Sequence, residues 1–278
     1  MTITAGIDIG STYTKAILFD DENNIVARAM RQTGFKLTEM SQTVFDECLS
    51  IAGLTNSDIA YTISTGIGRH QCDFKDLSVT DLTASARGAA HFFPNTRTVL
   101  DIGGQTMKAS RIDENARVQN FRLNDKCAAG TGAFLEKTAR YMGYTVEEIG
   151  PLLETSHDSV PISGVCAVFA ESEVINHLSI GTAPCDIMQG AIESLTGRSV
   201  QLMKRIKAQP EYTLVGGILR FSTMAQAVRD RIESEVNVPP DELCQYVGAV
   251  GAGILGHRRL QVIAQNSTSA VESQSAEL

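Results

Sequence analysis

Two short segments hold the residues best suited to chemistry: Asp8-Ile9-Gly10-Ser11-Thr12 near the start, and Asp101-Ile102-Gly103-Gly104-Gln105 further on. Each follows an apolar run, Ile3–Ile9 or Thr98–Ile102, that reads as a strand. An Asp-x-Gly turn between strands offers backbone N–H groups to an anion, and glycine lets the anion approach without a Cβ in the way. Carboxylate and bare phosphate repel, so each aspartate is expected to hold a hydrated Mg²⁺ beside a phosphate. After the first turn a second strand is expected over Lys15–Phe19. A third glycine turn, Gly216-Gly217, follows the expected strand Tyr212–Val215 and gives flat access for a nucleoside.

At one constant offset Asp8 aligns with Asp101, Ile9 with Ile102, Gly10 with Gly103, Lys15 with Lys108, Ala16 with Ala109 and Asp20 with Asp113. The order of strand, turn, strand and acidic turn is kept, which points to an internal duplication. Two unrelated hairpins are the alternative, because Asp-x-Gly is common turn chemistry. No G-x-x-x-x-G-K-[ST] occurs, which speaks against a P-loop. Gly251-Ala252-Gly253-Ile254-Leu255-Gly256 spells G-x-G-x-x-G, but within an apparent helix and with too little chain after it for a strand–helix–strand unit, so it is read as helix packing.

The elements that must position these turns alternate along the chain. Helical spacing is read over Met40–Ala52, Thr80–His91, Thr131–Met142, Val165–Leu178, Ile187–Ile206 and Ser222–Glu235, and a small-residue helix over Val247–Gly256. Between them Tyr61–Thr65 reads as a strand running into Gly66-Ile67-Gly68-Arg69. The class is therefore α/β. The chain has 278 residues, a formal charge of −8 and 43% hydrophobic residues, which fit about two globular domains. The acidic balance without a basic run argues against nucleic acid or an anionic membrane surface as partner. No apolar stretch approaches the eighteen or so residues of a membrane span, and the start lacks a signal-peptide pattern, so a cytoplasmic location is expected. Residues 1–95 are expected to form a first domain, with the C-terminal helix as a candidate completion, 96–260 a second, and 261–278 a disordered tail.

The ordered set of two phosphate turns and a nucleoside turn resembles the actin, sugar kinase and heat-shock chaperone ATPase superfamily. The resemblance implies two ribonuclease-H-like domains with a nucleotide cleft between them. It implies Asp8, Gly10, Ser11, Thr12 and Lys15 as the first phosphate loop, Asp101, Gly103, Gly104 and Gln105 as the second, and Gly216 and Gly217 at the adenosine of ATP. Gln105 is the candidate to orient the attacking water. A small-molecule kinase shares this clamp but has no use for paired interface cysteines. A chaperone-type switch needs an appended peptide-binding domain, for which the tail leaves no room.

Six cysteines without an export signal or a C-x-x-C pair are not a disulfide framework. Cys127 stands just ahead of an expected helix, whose N-terminal dipole would favour a thiolate. The residues alone do not single out Cys127 and Cys166 from Cys48, Cys72, Cys185 and Cys244. Cys48 and Cys244 are expected in the core; Cys72 and Cys185 fall in apparent loops without an assigned role.

The stretches N-D-K-C-A-A-G-T-G (Asn124–Gly132) and C-A-V-F-A-E-S-E (Cys166–Glu173), with D-I-G-S-T and D-I-G-G-Q, are similar to the ATPase component of the 2-hydroxyacyl-CoA dehydratase activator and benzoyl-CoA reductase family. The similarity runs from about Ile3 to Gly256. It implies that Cys127 and Cys166 are ligands of a 4Fe–4S cluster completed by a second ATPase subunit across a dimer. It also implies a ferredoxin-type electron donor and a catalytic reductase or dehydratase as partners. The opening M-T-I-T-A-G-I-D-I-G, the segment Lys137–Tyr141 and the ending Y-V-G-A-V-G-A-G-I-L-G look closer to the smaller reductase ATPase subunit, so a benzoyl-CoA reductase role is the expectation, with a homodimeric dehydratase activator as the alternative.

Overall fold

The computed structural model describes residues 1–124, 131–163 and 166–275. The chain divides into two compact units, one formed by Met1–His91 together with the chain from Tyr246 onward, the other by Phe92–Gln245.

In the first unit β1 (Ile3–Ile9), β2 (Tyr13–Phe19) and β3 (Ile25–Gln32) form an antiparallel meander, and β4 (Ile59–Thr65) and β5 (Leu77–Ser78) extend the sheet in parallel in the order β3-β2-β1-β4-β5. Helix α1 (Leu37–Ala52) covers β2 and β3. Successive side chains of a strand leave opposite faces. Ile3, Ala5, Ile7 and Ile9 therefore join Val44, Phe45, Cys48 and Leu49 of α1 in one apolar cluster. Thr4, Gly6 and Asp8 face the other way, toward α8 (Val247–Ser275). A Cβ on Gly6 would overlap the Ala249 carbonyl, and the Thr4 hydroxyl donates to the Gly253 carbonyl at 2.9 Å.

The G-x-G-x-x-G run is helix packing, as the sequence suggests. It lies within α8, where a Cβ on Gly251 would overlap the Ala84 carbonyl of α2 (Asp81–Phe92), one on Gly253 would lie 2.6 Å from the Phe19 ring, and one on Gly256 would lie 3.1 Å from Thr4. Beyond Gln261 the expectation was a disordered tail, whereas α8 continues to Ser275. Few residues of this stretch are apolar, but no Gly or Pro interrupts it.

The second unit repeats the plan. Strands β6 (Thr98–Ile102), β7 (Met107–Ile112) and β8 (Val118–Asn124) form the antiparallel part, and β9 (Tyr212–Val215) and β10 (Val236–Asn237) the parallel part, in the order β10-β9-β6-β7-β8. Counted within each unit, both sheets run third, second, first, fourth, fifth. The acidic turns match as well: Asp20 accepts from the N–H groups of Glu22 and Asn24, and Asp113 from those of Asn115 and Arg117. The duplication seen in the sequence is thus a structural repeat. Helices α3 (Gly132–Tyr141), α4 (Ile149–Glu154), α5 (Ala167–Ser179), α6 (Pro184–Arg205) and α7 (Ser222–Ile232) complete this unit, with Leu135, Ile149, Val174, Leu195 and Val228 in its core. Among the described residues no helix is long and apolar enough to cross a membrane.

Gly251→Ala is expected to lower the unfolding free energy by about 2 kcal/mol, because overpacking outweighs the roughly 1 kcal/mol that alanine gains in helix propensity. Guanidinium unfolding measures this, and an unchanged or raised stability would contradict so close a crossing of α2 and α8.

Candidate functional site

The first turn hangs on the β1–β2 register, which sets Asp8 opposite Lys15. Cross-strand neighbours project from the same face. The Lys15 ammonium accordingly lies 3.2 Å from an Asp8 carboxylate oxygen, with side chains 14% and 15% exposed. In the second unit Asp101 stands opposite Lys108 and their charged groups are 3.7 Å apart. Gly10 N–H closes the first turn on the Tyr13 carbonyl at 3.2 Å, and Gly103 N–H closes the second on the Thr106 carbonyl at 2.9 Å.

In both turns carbonyls are occupied while N–H groups stay open. In the first, Thr33 donates its hydroxyl to the Gly10 carbonyl at 2.8 Å and its N–H to the Thr12 carbonyl at 2.9 Å. In the second, Gly132 and Ala133, the first residues of α3, donate their N–H groups to the carbonyls of Gly103 and Gly104 at 2.9 and 2.8 Å. Among the described residues the N–H groups of Ser11, Thr12, Gly104 and Gln105 have no acceptor. Each turn therefore presents a small net positive dipole beside a lysine, which suits a phosphate oxygen. Gln105 lies exposed in the second turn. The carboxylates supply hard oxygen donors, the kind a hydrated Mg²⁺ takes.

The third turn is forced on glycine. Gly216 has φ +104° and a Cβ there would overlap the Ile102 carbonyl, so β9 ends tightly against β6; at Gly217 the nearest atom to a Cβ is Gln245 Oε1 at 3.5 Å. Next to this turn opens a cavity of about 810 Å³ lined by Arg220, Phe221, Val238, Pro239 and Glu242 among others. The Arg220 guanidinium lies 5.1 Å from the Phe221 ring centroid, giving a flat cationic and aromatic wall suited to a heterocyclic base.

Lys108, Thr33 and Arg220 were not among the expected site residues. Lys108 was already visible as the counterpart of Lys15 in the alignment. Thr33 carries no local signal, because its role depends on β3 returning beside the first turn.

Cys127 lies outside the described residues. Cys166 is the N-cap of α5, half-buried, with no side-chain capping bond, so its thiol sits at the positive end of a 13-residue helix. That setting fits a thiolate ligand. Helices α3 and α5, which follow the two cysteine segments, are joined by the Lys137–Glu171 pair at 2.7 Å, and the Tyr141 hydroxyl reaches the same carboxylate at 3.3 Å. The Glu171 carboxylate raises the Lys137 pKa. Among the described residues no group of three His, Cys, Asp or Glu side chains could hold a metal ion. Cys48, Cys72 and Cys244 are buried. Cys72 belongs to the first unit's core cluster, and Cys185 lies in the first turn of α6 rather than in a loop.

A family model described as the BadF/BadG/BcrA/BcrD ATPase family matches residues 5–256. The activator of lactoyl-CoA dehydratase from Anaerotignum propionicum is 37% identical over 258 residues, covering 93% of this chain and 98% of that protein. A benzoyl-CoA reductase component from Thauera aromatica is 34% identical over 278 residues, covering 95% and 96%. The solved activator of 2-hydroxyisocaproyl-CoA dehydratase from Clostridium difficile, with bound ADPNP, superposes with a TM-score of 0.89 at 37% identity, covering 95% of this chain and 98% of that one.

Burial pushes the thiol of Cys48 up to about 12 and those of Cys72 and Cys244 up to about 11. Native protein treated briefly with iodoacetamide at about pH 8 is therefore expected to react at Cys166 and Cys185 before these three. Peptide mapping that finds Cys48 or Cys72 alkylated first would contradict the packing described.

Proposed function

The chain belongs to the BadF/BadG/BcrA/BcrD ATPase family, and from that premise we propose that it is an ATP-hydrolysing activator of a 2-hydroxyacyl-CoA dehydratase. The observation that carries the ATPase part is the repeated turn with spent carbonyls, open N–H groups and a lysine-held aspartate. Both activators described above share more identity with this chain than the reductase component shares, so the expected preference for a benzoyl-CoA reductase role gives way to the alternative.

In this reading the N–H groups of Ser11, Thr12, Gly104 and Gln105 and the ammonium groups of Lys15 and Lys108 bind phosphate oxygens. Gly10 and Gly103 allow the backbone to approach. Asp8 and Asp101 would each offer carboxylate oxygens to hydrated Mg²⁺, and Gly216, Gly217 and Arg220 would lie along the nucleoside. Gln105 orients a water whose oxygen bonds to the γ-phosphorus as the bond to the bridging oxygen breaks, leaving ADP and phosphate. The donors are fixed before charge develops, which is the usual source of rate in phosphoryl transfer.

Cys127 and Cys166 would hold a 4Fe–4S cluster jointly with the same two cysteines of a second copy. When bound, the cluster supplies a one-electron store at low potential. The α5 N-terminus offsets negative charge at Cys166, and the Lys137–Glu171 pair keeps the two cysteine-bearing segments in step. The partners in this reading are a ferredoxin-type donor and the dehydratase.

Asp8→Asn and Asp101→Asn are each expected to lower kcat for ATP hydrolysis about 100-fold or more in folded protein. Anaerobically purified wild type is expected to be brown, to give the EPR signal of a reduced 4Fe–4S cluster, and to activate a 2-hydroxyacyl-CoA dehydratase. Cys127→Ser or Cys166→Ser abolishes the signal and leaves nucleotide affinity in place. A colourless wild type that activates the dehydratase fully, or one that serves only a benzoyl-CoA reductase, overturns the reading.

A further inference from the structure

Strand β4 runs parallel to β1 with Thr65 paired to Asp8, so both side chains leave the sheet on the same face. Thr65 is 0% exposed, and its hydroxyl has no hydrogen-bond partner among the described residues. Buried hydroxyls are ordinarily satisfied, and valine would fill the same space without a polar atom to strand. An orphaned hydroxyl beside a carboxylate is therefore a mark of something that binds there.

The chain then turns at Gly66 with φ +85°, where a Cβ would lie 2.6 Å from Asp8 Oδ1. On the other side Gly248, in the first turn of α8, would place a Cβ 3.2 Å from Asp8 Oδ2. The carboxylate is held in a slot between two glycine backbones. The Gly66 turn is itself pinned. Its carbonyl accepts from Arg69 Nη1 at 3.1 Å and from the Arg69 N–H at 3.4 Å, and Gly68 N–H donates to the Ile9 carbonyl at 3.0 Å. The Arg69 carbonyl in turn accepts from the hydroxyls of Ser64 at 2.8 Å and Ser78 at 3.3 Å. Arg69 is half-buried and pairs with no carboxylate among the described residues.

We propose that Thr65–Arg69 is a third element of the Asp8 site. Thr65 gives its hydroxyl to the water shell of the divalent cation held by Asp8, and Arg69 is a positioning residue that fixes the Gly66 turn against the carboxylate. Mg²⁺ keeps several of its waters, and those waters need oxygen partners on the protein. The inference rests on the reading of Asp8 as a metal–phosphate residue.

The test measures the affinity of the full chain for a non-hydrolysable ATP analogue with Mg²⁺ and with EDTA, together with the melting temperature of the ligand-free protein. Thr65→Val and Arg69→Ala are expected to lose about tenfold in affinity with Mg²⁺ and to match wild type in EDTA, as the loss of an outer-shell partner does. Thr65→Val should melt no lower than wild type, and Arg69→Lys, which keeps one donor toward Gly66, should recover part of the loss. Wild-type Mg²⁺-dependent affinity in Thr65→Val and Arg69→Ala overturns the proposal while Asp8→Asn still abolishes the Mg²⁺ gain. If Arg69→Ala melts much lower, Thr65→Val decides, because it leaves the loop's bonds intact. If Asp8→Asn keeps the full Mg²⁺ gain, the reading of Asp8 fails first.

Discussion

A lysine facing an aspartate across a two-stranded hairpin, once in each unit, is the interaction on which the proposed nucleotide chemistry depends. Two unit negative charges about 4 Å apart repel by roughly 4 kcal/mol at an effective dielectric near 20, and a phosphate carries more than one. An aspartate at the mouth of a phosphate-binding turn is tolerable only with cations at hand. Lys15 and Lys108 supply them in both copies, because a register that pairs the aspartate with the lysine leaves them no other side to face. The ion pair itself adds little net stability, because taking both largely buried charges out of water offsets most of their attraction. Its worth is positional.

Close backbone approach is the second constraint, and it explains why small residues recur. Gly6, Gly251 and Gly253 let α8 lie on β1 and α2, which brings Gly248 against Asp8. Gly216 lets β9 end against β6 and so sets the third turn beside Phe221 and Arg220. In the second unit the bracing is done by α3, whose first N–H groups are used on the Gly103 and Gly104 carbonyls. Helix α3 is thereby bonded directly to the Gly103–Gly104 turn.

The two hairpins, the major helices and the repeat were legible in the sequence because their signals are local: alternation ending in Asp-x-Gly, helical spacing, a constant offset. Strand β3 was not, since Ile25–Gln32 is an edge strand with Arg28 and Arg31 that alternates poorly. The short strands β5 and β10 hold two residues each and exist only by pairing with β4 and β9. Arg69, Thr65 and Thr33 escaped for a related reason. Thr65 and Thr33 meet Asp8 and the first turn only through strand pairing, Arg69 reaches Asp8 only through the fold of its own loop, and a threonine at the end of a strand looks the same whether its hydroxyl is satisfied or not. Cys185 fell just before the expected helix Ile187–Ile206, whereas α6 starts at Pro184, a residue well suited to the first turn of a helix.

Open N–H groups exchange their hydrogens quickly, and a bound phosphate stops them. Hydrogen–deuterium exchange of the protein with and without Mg²⁺ and a non-hydrolysable ATP analogue therefore tests the central claim most directly. Strong protection on nucleotide binding is predicted in both the Gly10–Thr12 and the Gly103–Gln105 peptides. Tight binding that leaves either turn exchanging at its free rate would contradict the account of a duplicated phosphate grip.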